Sequence, residues 1–268
     1  FFRNHSIHHS RRQEPWQFGP EPLAAIRGVI RSRYRLLPYL YQCFFNHWRN
    51  GDPVIRPLLY HYPGPEYTDL DDQYLLGDSL LVAPILHGDS QGPEIFRNGV
   101  KMQQRSITLP SGGWFDLNRG VWLEGGRIVN YAAALDELPL FVRDGAIVPY
   151  YAGPLHNSFM NLSDVELHLF CHNQSARLNY FVDDQESLRY QSGDISVADI
   201  AVSIGDERLR VAITESGSYP GSTVRFTPVI YGHSDLRELE LTVNHRVEAR
   251  SLRVGRREWL CRELAVQF

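Results

Sequence analysis

Cysteine is scarce in this sequence: Cys43, Cys171 and Cys261 are the three present. So sparse and scattered a set makes no disulfide framework, and no Cys-x-x-Cys pair or Cys/His cluster of zinc spacing exists. Three separate thiols fit a reducing compartment, and the expected location is the cytoplasm. Lysine is scarcer still. Lys101 is the only one, so nearly all positive charge is arginine. No apolar run approaches the roughly 18 residues that suggest a membrane span, and no secretory apolar core follows the first residues. Basic charge is not in excess either: the net charge of −4 argues against binding nucleic acid by bulk electrostatics. The chain opens Phe1-Phe2-Arg3 without an initiator methionine, and the expectation is that it forms part of something longer.

What is present suffices for sizeable cores. Of the 268 residues, 43% are hydrophobic and 22% charged, with no signature of disorder. The first twenty residues are polar and aromatic, rich in His and Arg and punctuated by Pro15 and Pro20. They read as a loop that leads into a helix. From Glu21 onward, Leu23, Ile26, Ile30, Tyr34, Leu37, Tyr41, Phe44 and Trp48 recur at spacings of three and four. This predicts one helical face over about seven turns. Pro22 and Glu21 suit its first turn, Gly51 its end, and Pro38 should kink it.

Beyond Gly51 the period falls to two or to short apolar runs. Pro53–Leu59 reads as a buried strand. Hairpins are predicted from Gln73–Leu76 with Ser79–Pro84, from Ser106–Leu109 with Trp114–Leu117, and from Leu140–Arg143 with Ala146–Pro149 around Asp144-Gly145. After an interruption over Tyr150–Asn161, alternation resumes at Val165, Leu167 and Leu169. Further strands are expected at Ala198–Ile204, Arg208–Ile213, Ser222–Tyr231, Glu238–Val243 and Glu248–Val254. Strands at this regular spacing indicate sandwiches or barrels.

Several segments carry a more specific signal. Phe1-Phe2-Arg3-Asn4-His5-Ser6, then Gln13-Glu14-Pro15-Trp16, resemble the glycoside hydrolase family 31 α-glucosidases. Leu36-Leu37-Pro38-Tyr39-Leu40-Tyr41 and Pro53-Val54-Ile55-Arg56-Pro57-Leu58 follow in that family's order. So do Asp72–Pro84, Pro139–Pro149 and Asp183-Asp184-Gln185-Glu186-Ser187. The resemblance implies the C-terminal end of a (β/α)8 barrel followed by two antiparallel β-sandwich domains. The expected boundaries are 1–58 for the last barrel elements, 59–157 for the proximal sandwich and 158–268 for the distal one.

The resemblance also implies a retaining α-glucosidase that releases terminal α-linked glucose from oligosaccharides, with no cofactor and no metal. Such enzymes use two carboxyls as nucleophile and acid/base. In this family both are aspartates that precede the Arg-Asn-His segment, and neither motif occurs here, so the chain alone is expected to be inactive. Its implied partners are the α-glucoside substrate and the missing N-terminal part of the barrel, with neither nucleic acid nor membrane. By the same resemblance His5 hydrogen-bonds hydroxyls of the glucosyl unit at the cleavage point. A neutral imidazole suits this, offering a donor and an acceptor in one ring. Arg3 is expected to support the site by fixing neighbouring carboxylates bidentately. An α-xylosidase, transglucosidase or lyase of the same family, or a non-catalytic sugar-binding β-sandwich protein, are the alternatives.

Other side chains attract attention and point elsewhere. His5, His8 and His9 share a loop without a carboxylate or Cys partner, which speaks against a metal. Glu14 and Trp16 fit the packing of a barrel rim better than a sugar pocket. Asp71-Asp72 and Asp183-Asp184 are adjacent pairs, and adjacent residues of a strand point to opposite faces, so turn or edge roles are expected of them. Gln185 stands where the family usually has Gly, which puts the shape of that turn in question. Trp114, Tyr131, Tyr150, Tyr151, Tyr180, Phe181, Tyr190 and Trp259 are expected to fill sandwich cores rather than to form a sugar platform.

Overall fold

The computed structural model describes residues 7–86, 95–155, 164–205, 208–217, 219, 223–231, 238–244, 246–250, 259–260 and 264–267. A short 3-10 helix over Pro15–Phe18 leads into two α-helices, α1 (Pro20–Arg35) and α2 (Leu37–Asn50). The first β module carries β1 (Ile55–Arg56), β2 (Tyr74–Leu76), β3 (Leu80–Val82), β4 (Ile95–Arg97), β5 (Val100–Leu109), β6 (Gly113–Asp116), β7 (Val121–Glu124), β8 (Arg127–Ala133) and β9 (Leu140–Arg143). Then come β10 (Ala146–Tyr151), β11 (Asp164–Phe170), β12 (Ala176–Val182), β13 (Ser196–Gly205), β14 (Arg208–Gly217) and β15 (Thr223–Ile230). The last are β16 (Glu238–Val243), β17 (Arg246–Arg250), β18 (Trp259–Leu260) and β19 (Leu264–Gln267).

The predicted seven-turn helix is therefore two. Proline has no N–H, and its ring clashes with the carbonyl four residues back. The chain answers by ending α1 at Arg35, so that Pro38 falls in the first turn of a new helix where no donor is missed. At the far end Gly51 takes the left-handed conformation, φ 80°, and its N–H caps the His47 carbonyl at 2.8 Å.

Two sheets make the first sandwich. Strands β1-β2-β3-β9-β6-β7 form a six-stranded sheet, and β4-β5-β8 a smaller one facing it. Alternation along the larger sheet sends its side chains to two different cores. Leu75, Leu81, Trp114 and Phe141 meet Ile107, Leu109, Tyr131 and Ala133 inside the sandwich. Their neighbours Leu80, Phe115 and Val142 face outward and join Tyr39 and Cys43 of α2 with Val148 and Phe170. Runs such as Leu80-Leu81-Val82 are continuously apolar because both faces of that sheet are covered.

The second sandwich packs β10-β11-β15-β18, with β19 also on β15, against β12-β13-β14-β16-β17. Leu167, Leu169, Phe226 and Ile230 from one sheet meet Tyr180, Ile200, Val211 and Leu241 from the other. It is not purely antiparallel: β11–β15 and β14–β16 pair parallel. Each of these pairs joins strands between which the chain passes through the opposite sheet, and a returning strand can then enter in the same direction.

Two predicted hairpins are sheet switches. Strand β5 pairs β8, while β6 pairs β7 and β9. At that corner Trp114, fully buried, donates Nε1–H to the Pro110 carbonyl at 2.8 Å. Gly125 makes the close approach possible, because a Cβ there would lie 1.8 Å from the same oxygen. Likewise β9 and β10 part into different sheets around Asp144-Gly145. The buried Asp144 carboxylate accepts backbone N–H bonds from His172 at 2.7 Å and Asn173 at 2.9 Å. The residue that suits a hairpin turn instead binds the loop after β11. The hairpin of β2 with β3 forms as expected. Ile55–Arg56, expected as a barrel strand, pairs antiparallel with Leu75–Leu76 and so lies in the six-stranded sheet.

Candidate functional site

His5 and Arg3 lie outside the described residues. The segment that follows them is described, and its contacts are local. Ser10 N–H closes a turn on the Ile7 carbonyl at 3.1 Å, and His9 takes a left-handed φ of 71°. The His8 and His9 rings meet edge to face with centroids 4.0 Å apart. Among the described residues no group of three His, Cys, Asp or Glu side chains could hold a metal ion. Glu14 then precedes the 3-10 helix, whose first residue is Pro15, and Trp16 is 64% exposed on it. Buried Glu14 Oε2 has no hydrogen-bond partner among the described residues.

The remaining candidates resolve as structural parts. Asp72 Oδ2 stands 2.7 Å from Arg105 Nη2, and Arg105 Nη1 bonds the Asp72 and Pro84 carbonyls. Asp183 accepts the Tyr41 hydroxyl at 2.6 and 2.8 Å and the Gln185 N–H at 3.0 Å. Burial and the facing carboxylate raise the Tyr41 phenol above its ordinary pKa, so it stays a donor. Asp184 accepts the Ser187 hydroxyl at 2.6 Å and the N–H groups of Ser187 and Glu186, which lower its pKa to about 2. These aspartates build one turn and hold it to α2; they do not flank a scissile bond. Gln185 between them has φ 58°, so the turn keeps a glycine-type conformation although the residue is not glycine.

Trp114, Tyr131, Tyr151, Tyr180 and Phe181 are all buried, so these five fill cores as expected, whereas Tyr190 is half-buried against Phe45 and Trp48. Tyr150 is half-buried, and burial lifts its pKa to about 12. Burial lifts the Cys43 and Cys171 thiols to about 12 as well, far from a reactive thiolate. Cys261 lies outside the described residues, and so does the Trp259 side chain.

Sequence reasoning missed the contacts that fix the helix pair. Gln42, 2% exposed, receives the Phe181 N–H at 2.7 Å and donates to the Phe181 carbonyl at 3.2 Å. Phe45 stacks on Phe181 with centroids 3.8 Å apart. Arg35 donates to the Tyr151 carbonyl at 2.9 Å. The available signal was Gln42 itself, one polar residue among Tyr39, Cys43 and Phe45.

These elements describe a helix pair seated on two β-sandwiches, and sequence comparison gives them a class. Residues 1–43 match the model of the glycosyl hydrolases family 31 TIM-barrel domain, and residues 51–148 match that of the glycosyl hydrolase family 31 C-terminal domain. Barrel end first and β module next is the order of a multidomain glycosidase. The chain belongs to glycosyl hydrolase family 31.

Alpha-glucosidase 2 of Bacillus thermoamyloliquefaciens is 32% identical over 225 residues, 83% of this chain and 27% of that protein. A 1,6-alpha-glucosyltransferase of Sporosarcina globispora is 31% identical over 196 residues, 72% of this chain and 14% of that protein. The chain thus spans about a quarter or less of these relatives' length. A family 31 dextranase of Flavobacterium johnsoniae, solved with glucose, superimposes with a TM-score of 0.72 at 27% identity, over 82% of this chain and 27% of its own. An α-xylosidase of Xanthomonas citri shares the fold at 20% identity, with a TM-score of 0.68 over 93% of this chain and 25% of its own.

Proposed function

We propose that this chain is the C-terminal part of a retaining α-glucosidase that hydrolyses terminal α-linked glucose from oligosaccharides. The observation that carries the reading is the unbroken order of the two family 31 models along residues 1–148, joined to 32% identity with an α-glucosidase. In this reading the nucleophile and acid/base aspartates lie outside the chain. His5 orients the glucosyl unit, and Arg3 holds carboxylates near it. Retention follows from two carboxyls about 5–5.5 Å apart, one forming a covalent glucosyl-enzyme and the other serving as acid and then base. A sparse, scattered set of three cysteines supports a reducing compartment, and we place the protein in the cytoplasm.

The uncovered flank of the helices supports the same reading. Trp16, Phe18, Val29, Phe44 and Trp48 are all at least 44% exposed, and further barrel elements would cover such a face. Transglucosylation is the second reading, favoured by the 31% identity with a glucosyltransferase.

The purified 268-residue chain should not release nitrophenol from 4-nitrophenyl α-D-glucoside above the uncatalysed rate. The full-length protein, drawn from its natural source with an antibody to this chain, should release it and yield α-glucose first. Turnover by the chain alone would overturn the placement of the aspartates. A natural protein that leaves the glucoside intact would overturn the α-glucosidase reading. Oligosaccharide in place of glucose as the main product would select transglucosylation.

A further inference from the structure

A cleft of about 240 Å³ opens where α2, the turn between β2 and β3, and the start of the second sandwich meet. Pockets for drug-sized ligands hold roughly 300–1,000 Å³, so a guest here is compact. Charge is concentrated in it: Arg56, Arg143, Arg177 and Asp78 line it together with Ser79 and Asn46. Arg177 is already neutralised, because its guanidinium forks onto Asp199 with Nε–Oδ1 at 2.7 Å. Arg56 has no carboxylate partner among the described residues, and Arg143 has one only at 3.9 Å.

Arg56 is only 5% exposed, yet its partners among the described residues are all uncharged. Its Nε donates to the Pro53 carbonyl at 2.5 Å, its Nη1 to His61 Nε2 at 2.7 Å, and its plane lies 5.3 Å from the Tyr60 ring centre. Burial, and then Arg56 itself, lower the His61 pKa, so the imidazole accepts as a neutral base. Among the described residues no carboxylate reaches this guanidinium, and Nη2 is left free to donate. A buried cation without a counter-charge is costly.

Arg143 approaches from β9, separated from β1 by β2 and β3 in the same sheet, and it too is incompletely paired. Its Nε is buried without a hydrogen-bond partner, and its Nη2 stands 3.9 Å from Asp78 Oδ2, at the limit of ion pairing. Asp78 is the cleft's one carboxylate, and its Oδ1 already accepts the Ser79 hydroxyl at 2.7 Å. Two incompletely matched guanidinium groups thus face one half-occupied carboxylate. Planar guanidinium forks suit a tetrahedral oxyanion, to which they donate in pairs.

We propose that this cleft binds a small phosphate-type oxyanion, as the free ion or as a compact monoester, between Arg56 and Arg143. The test of this site does not involve hydrolysis, so it stands or falls apart from the α-glucosidase reading. Because its lining comes from α2 and both β modules, the bound anion ties the helix to the sandwiches.

The 268-residue chain should be titrated with inorganic phosphate and, separately, with sodium chloride at equal ionic strength. Melting temperature and ³¹P line width are the readouts. Phosphate should give a saturable rise in melting temperature and a broadened line, with no such rise in chloride. Arg143→Gln, at a position whose side chain is 41% exposed, should weaken phosphate at least tenfold, and Arg143→Lys should weaken it less. Glucose 6-phosphate in place of phosphate separates the sources: tighter binding marks a monoester, weaker binding the free ion. An equal response to chloride, a response that never saturates, or undiminished binding by Arg143→Gln would overturn the site. Saturable binding of glucose without phosphate binding would overturn it too.

Discussion

Gln185 shows how much one side chain can leave undecided. A residue with a Cβ pays roughly 1–2 kcal/mol in the left-handed region that glycine enters freely. The turn nevertheless holds φ 58° there, because Asp183 receives the N–H of Gln185 and Asp184 those of Glu186 and Ser187. Gln185→Gly should therefore stabilise the chain by about 1 kcal/mol, read as a higher urea midpoint with an unchanged slope; a lower midpoint would show that the Gln side chain makes a compensating contact. Glu166 gives a prediction in pH. The His168 Nε2–H bond at 3.0 Å holds its pKa below the ordinary value against the opposing effect of burial, while Tyr231 occupies His168 Nδ1 at 2.8 Å. A depressed carboxylate pKa contributes stability that is complete above the unfolded glutamate value of about 4.3 and is lost as pH falls through the folded value. Melting temperature should thus drop on acidification below about pH 4.3, and Glu166→Gln should make that drop shallower. An identical acid profile in the variant would remove Glu166 from the cause.

Helices and strands were legible in the sequence wherever one local rule governed them. The periodic run from Leu23 to Trp48 located the helices, Gly51 their end and Pro38 their break. Strands β13 to β16 fall close to their expected places because alternation with a half-buried face is local information. Pairing is not local. Asp144-Gly145 and Ser111-Gly112-Gly113 carry hairpin chemistry, yet each joins strands of different sheets, since the deciding partners are the loop after β11 and the Pro110 carbonyl. The same limit applies to the helix stripe. None of its eight residues is fully buried, and α2 turns Tyr39, Gln42, Cys43 and Phe45 to the sandwiches. Periodicity finds an apolar face but does not name what covers it. Phe44, 48% exposed, tests the uncovered side. In this chain Phe44→Ser should change stability by no more than about 0.5 kcal/mol. In the natural full-length protein it should cost about 2 kcal/mol or more, as truncation of a covered aromatic does. Equal effects in the two settings would show that nothing further packs there.

At the scale of the molecule, six strands of one sheet separate two cores, and the outer core joins α2 to the second sandwich. Tyr41–Asp183, Gln42–Phe181 and Arg35–Tyr151 complete that junction, so the barrel helices and the sandwiches bear on one another through specific bonds. In the proposed reading this arrangement braces a catalytic barrel whose reacting aspartates lie outside the chain. The sugar-site expectation for His5 and Arg3 rests on a family motif alone, and both residues lie outside the described ones. The central claim is the proposal that these residues belong to the C-terminal part of a longer α-glucosidase. The denatured intact mass of the polypeptide that carries this sequence in its natural source tests it most directly. A mass far above 30.8 kDa, in a chain that carries both aspartate motifs upstream of Phe1, is the predicted result. A polypeptide of about that mass, purified without any second chain, would contradict it.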